Sequence, residues 1–118
     1  MTVADVIAVV RRQLNDENKQ RWPDSVLIGY LSDGQCRVAD ARPDLLLAAS
    51  GTMTPVTELS DLDDPLVFGF TAQEGLAAYV CARALWEDSD DQANYQRGIT
   101  FAAQCNSAFG IRVMGAEK

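Results

Sequence analysis

Two helix-start signals eighteen residues apart constrain this chain more than anything else in it. Thr71 with Glu74 has the spacing of a capping box, in which the hydroxyl takes one free N–H and the carboxylate reaches back to another. Ser89 with Gln92 repeats that spacing. An Ala-rich apolar run to Trp86 and the acidic break Glu87-Asp88-Ser89-Asp90-Asp91 lie between them, and a second long run ends at Phe109-Gly110. With no Gly or Pro at the break, the pattern predicts an antiparallel helical hairpin over Thr71–Phe109. Leu76, Tyr79, Val80, Ala84 and Trp86 should face inward on its first arm. Tyr95, Ile99, Ala102 and Phe109 should do so on the second, with Cys105 or Asn106 near the seam. Ala77, Ala78, Cys81 and Ala82 are small enough for another helix to come close. Gly110 is a helix-ending glycine.

The first half supplies two more helices. Thr2 caps a helix whose Val3, Val6, Ile7, Val10 and Leu14 form one apolar face, with Asp5 in a weaker capping arrangement. Arg11 and Arg12 fall in its last turn, where cations suit the dipole, and it should stop near Asn15. Residues 16–20 are polar without periodicity and predict a loop. Trp22-Pro23-Asp24 opens a second helix with the proline in its first turn. Leu27, Tyr30, Leu31, Gly34, Val38 and Ala41 make its stripe, flanked by Val26 and Cys36. Gly34 costs about 1 kcal/mol of helix propensity against Ala, which a close neighbouring helix would explain. Pro43 ends this helix by disfavouring the α region at Arg42. Leu45, Leu46 and Leu47 either extend a turn or cap the bundle.

Residues 48–69 are the least regular, with Gly51, Pro55, Pro65 and Gly69 and an acidic set at Asp61, Asp63 and Asp64. A loop this long in a compact domain is usually functional or disordered. Residues 52–54 and 55–57 are expected to pair as short strands. Leu66, Val67 and Phe68 return to the core, and Phe70 should pack back on the helix it precedes. The expected fold is all-α: one four-helix, bundle-like domain over residues 1–110, with this long loop between the second and third helices and an extended tail at 111–118.

Composition narrows the chemistry. The chain has 118 residues, enough for one domain with a real core, and 47% hydrophobic content. Its formal net charge is −7 and it has no histidine. Such a chain lacks the commonest general base and nitrogen ligand, and does not wrap nucleic acid through phosphate contacts. Cys36, Cys81 and Cys105 are too far apart for a disulfide framework or zinc site, and read as reduced small apolar groups. The acidic clusters lack the EF-hand spacing and read as solvated turns. There is no Gly-rich phosphate loop and no nucleophile–base pair. Neither catalytic residues nor a metal or cofactor site is expected. No apolar run reaches the ~18 residues of a membrane span, and the N-terminus lacks a signal-peptide core, so the expected setting is cytosolic. Arg83, among apolar neighbours, either pairs with an acid of another helix or subunit or snorkels to the surface.

The order of these pieces resembles one family: the head–tail connector, or adaptor, proteins of tailed bacteriophages. The residues that carry the likeness are Arg12-Gln13-Leu14-Asn15-Asp16-Glu17, Arg21-Trp22-Pro23-Asp24, Gly34-Gln35 and Arg42-Pro43-Asp44. The Ala-rich helix, the acidic turn and Asn94-Tyr95 follow them, so the likeness covers most of residues 3–110. Similar proteins tend to have Ser or Thr where Pro23 stands, and many have a longer segment between the second and third helices. The resemblance implies a ring of identical subunits, a dodecamer in similar proteins, at the head–tail interface of a virion assembled in the host cytoplasm. The portal protein would lie above it and a neck or tail protein below, with DNA passing through without specific binding. It places portal docking on the tail residues Ile111, Arg112, Val113 and Met114. It places contacts to neighbours or the lumen on the loop residues Met53, Val56, Glu58, Asp61, Asp63 and Asp64. Arg37, Arg42 and Arg83 become candidate inter-subunit charges. The alternative is a small all-helical interaction domain that binds one partner through an apolar groove.

Overall fold

The computed structural model describes residues 1–16, 21–47, 51–87 and 92–114. Among them are four α-helices: α1 (Val3–Leu14), α2 (Asp24–Ala41), α3 (Gln73–Glu87) and α4 (Gln92–Phe109). Two 3₁₀ turns, Pro43–Leu46 and Phe70–Ala72, flank the loop between α2 and α3. The Ser89 cap expected for α4 lies outside the described residues.

The organising element is α3. From Gly75 to Trp86 every residue except Arg83 is buried. A helix apolar on all sides belongs in the middle of a bundle, and α1, α2 and α4 surround this one. Its largest contact is with α4. Gly75 meets Ala108 and Phe109 at one end, and Trp86 meets Gly98 at the other, so the two helices are antiparallel as expected. Gln73 donates to the Asp5 carbonyl and the Cys81 thiol lies against Val10 and Gln13, so α1 runs parallel to α3. Gly34 faces Tyr79 while Tyr30 meets Arg83, which makes α2 antiparallel to α3. The bundle measures 47 × 28 × 19 Å, long enough for its two ends to be separate surfaces.

Local signals explain most helix ends. Asp5 accepts from the Thr2 N–H at 2.8 Å. The next free donors of α1, the N–H groups of Val3 and Ala4, go to the carbonyls of Asp64 and Leu62. The loop therefore caps α1. Asn15 closes α1 in the left-handed region at φ 58°, which Asn tolerates. Pro23 is the N-cap of α2, Arg42 ends it, and Gly110 ends α4 with φ +70°.

Several expectations fail. α3 is led by the 3₁₀ turn with Gly69 as its N-cap, so Thr71 is a residue within that turn and not the cap. Phe70 is 70% exposed and does not pack back. The strands expected at 52–54 and 55–57 do not form a hairpin; Met53 makes a single bridge with Leu47 instead. The prolines at 55 and 65 and the anchoring described below hold the segment as irregular coil. Gln35, outside the expected stripe of α2, is fully buried and spans to the loop: its amide donates to the Thr57 carbonyl and accepts from the Val67 N–H. Leu59 and Phe68 of the same loop are buried in the core.

Candidate docking surfaces

The C-terminal segment is not a free tail. Ile111 and Arg112 are exposed, but Val113 and Met114 are buried against the core, at 8% and 5% exposure. Asn106 holds them. Its carbonyl oxygen accepts from the N–H groups of Val113 and Met114 at 2.7 and 3.0 Å, and its amide donates to the Met114 carbonyl at 2.8 Å. The domain thus extends through Met114, and removing residues 111–118 would remove part of the core. Residues 115–118 lie outside the described part.

The loop residues divide. Met53 and Glu58 are exposed, while Val56 is half-buried against the core. Asp61 and Asp63 are exposed, and their neighbour Asp64 folds the turn: its carboxylate accepts from the N–H groups of Ser60 and Asp61 at 2.8 and 3.0 Å. Those two bonds hold its pKa below the usual carboxylate value. Among the described residues no three His, Cys, Asp or Glu side chains converge as a metal site.

The three candidate inter-subunit charges all have partners within the chain. Arg83 reaches from α3 to Asp33 on α2 at 2.6 Å, and its guanidinium stands over the Tyr30 ring at 4.9 Å. Tyr79 donates to the same carboxylate at 2.6 Å, and Arg37 approaches it at 3.5 Å. Partial burial opposes ionisation of Asp33, but the bonds from Tyr79 and Arg83 outweigh it and its pKa is lowered. Burial, then the bond to Asp33, push the Tyr79 hydroxyl up to about 12. Arg42 makes a two-pronged pair with Asp44 and donates to the Phe109 carbonyl at the end of α4. This site is a helix-to-helix brace and C-cap.

Arg11, in the last turn of α1 as expected, does more than suit the helix dipole. It is buried, and its guanidinium pairs with Asp16 at 3.0 Å and with Asp24. Asp16 also accepts from the N–H groups of Arg21 and Trp22, which ties the start of α2 to the end of α1. The available signal was that Arg11 stands four residues after Ile7 on the apolar face. Gln35 gave the same kind of signal in α2.

Two surfaces stand out among the described residues. At the end where α2 and α4 finish and α3 begins, Leu45, Leu47, Met53, Phe70 and Ile111 are exposed large apolar residues. A cleft of about 190 Å³ there runs between Arg42, Leu45, the Gly69–Ala72 turn and the last residues of α4. The second surface is a groove of about 330 Å³ beside α1, lined by Ala4, Ile7, Ala8, Leu62, Arg11, Arg12 and Asp24. No helix among the described residues is long and apolar enough to cross a membrane. No family model matches the sequence, and neither a curated protein nor a solved structure matches it.

Proposed function

We propose that the protein is a structural assembly component, a head–tail adaptor of a tailed bacteriophage, which forms a homo-oligomeric ring between the portal and the next neck or tail protein. The observation that carries this reading is the exposed apolar end formed by Leu45, Leu47, Met53, Phe70 and Ile111. Exposed apolar side chains gathered at one end of a bundle mark a protein-docking face. The sequence resemblance supplies the kind of partner. The formal charge of −7 suits a ring through which DNA slides, because an acidic lumen repels phosphate. In this reading the ionic groups Arg37, Arg42 and Arg83 brace the subunit, and docking falls to the apolar end, Ile111 and Arg112. Negative-stain microscopy of the protein mixed with a portal protein and neck partners tests it: a ring with an axial hole is expected.

The groove beside α1 favours a second reading, a helical interaction domain that binds one partner segment. A stable 1:1 complex without a ring would support that reading against the first.

A further inference from the structure

We propose that Phe70 of one copy of this chain seats in the α1 groove of the next copy, with Glu74 of the first against Arg12 of the second. The inference rests on the assembly reading and names the two faces that meet. Phe70 is the most exposed of the large apolar residues, and burying it would remove a large apolar area from water. Glu74 follows it by one helical turn on the run into α3, is exposed, and has no ion-pair partner among the described residues. The groove has the complementary character. Ala4, Ile7, Ala8 and Leu62 give it apolar walls, and its volume of about 330 Å³ exceeds the ~150 Å³ that suffices for a benzene ring.

Arg12 stands at the groove exposed and without an ion-pair partner among the described residues. The lining carboxylate Asp24 is already engaged by Arg11, so Arg12 is the charge left to an incoming group. Copies carrying −7 repel at long range, and a contact between them has to bring opposite charges together locally. Phe70 with Glu74 and the groove with Arg12 are different patches. Their contact is therefore heterologous, the kind that closes into a ring when the rotation permits.

Sedimentation velocity over a concentration series, at low and high salt, tests the contact. The wild-type chain should self-associate, more tightly at low salt. Phe70→Ser should abolish association, and Arg12→Glu or Glu74→Arg alone should weaken it roughly tenfold or more. The double variant Arg12→Glu with Glu74→Arg should restore it. All three positions are exposed, and circular dichroism checks that each variant folds. Association that the substitutions leave unchanged would overturn this interface while leaving the assembly reading intact. A wild-type chain that stays monomeric at every concentration would also overturn it, and the ring experiment on the portal would then judge the assembly reading separately.

Discussion

The Tyr79 ring occupies the space that a side chain at Gly34 would need: a Cβ there would lie 2.6 Å from Tyr79 Cδ1. Gly34→Ala should therefore destabilise the fold. Overpacking costs roughly 1–3 kcal/mol, against about 1 kcal/mol regained in helix propensity. Gly29 on the same helix is the control, since a Cβ there meets nothing within 4 Å. Gly29→Ala should stabilise by about 0.5–1 kcal/mol. Urea midpoints of the two variants should move in opposite directions, and a shared direction would contradict the packing described.

Gln35 ties the long loop to α2 through both ends of its amide. Gln35→Leu keeps the volume but strands the Thr57 carbonyl and the Val67 N–H. An unsatisfied buried group costs about 1–3 kcal/mol. The expected outcome is a loss of that order, with faster hydrogen exchange at Val67 than in the unmodified chain. Unchanged exchange would show that the loop is held some other way.

Asn106 should hold the C-terminal segment. Asn106→Ala removes three hydrogen bonds to Val113 and Met114. The two amides should lose exchange protection, with a stability loss of roughly 1–3 kcal/mol. Asn106→Asp retains the acceptor and should keep most of the protection at both N–H groups.

Burial pushes the Cys81 and Cys105 thiols up from an ordinary value of 9.0 to about 12. Cys36 is exposed. One thiol should react quickly with a disulfide reagent in the folded protein, and three in denaturant. Tyr79 is raised in the same direction. As pH rises past the ordinary values, the unfolded chain releases protons that the folded chain keeps. Stability is therefore full below about pH 9 and falls between there and about pH 12. Asp33 has the opposite sign, and its contribution is lost as pH falls through its lowered value. Urea midpoints measured against pH check both limbs.

Helix positions were legible because short-range rules set them. Asn15, Pro23, Pro43 and Gly110 stand at or beside helix ends for reasons of backbone geometry, and the apolar periodicity marked the facing sides. The central place of α3 was visible in part, through the small residues that let neighbours approach. What stayed hidden depends on contacts across the chain. Within residues 51–69, Gln35 holds Thr57 and Val67, Leu59 and Phe68 are buried, and the carbonyls of Leu62 and Asp64 cap α1. Val113 and Met114 return to the core through one side chain on α4. Arg11 is buried because Asp16 and Asp24, distant by 5 and 13 residues, meet it there. Arg11 and Gln35 each stand four residues after an apolar-face residue, Ile7 and Leu31, a spacing that the reading of the apolar faces passed over. Phe70 carried no sign that its 3₁₀ turn would leave it exposed.

The most direct test of the assembly reading is negative-stain microscopy of the intact protein mixed with a portal protein and the neck components. Rings with an axial hole on the portal are expected, and they should be lost when Phe70 is replaced by serine. A discrete 1:1 complex with no ring would contradict that reading.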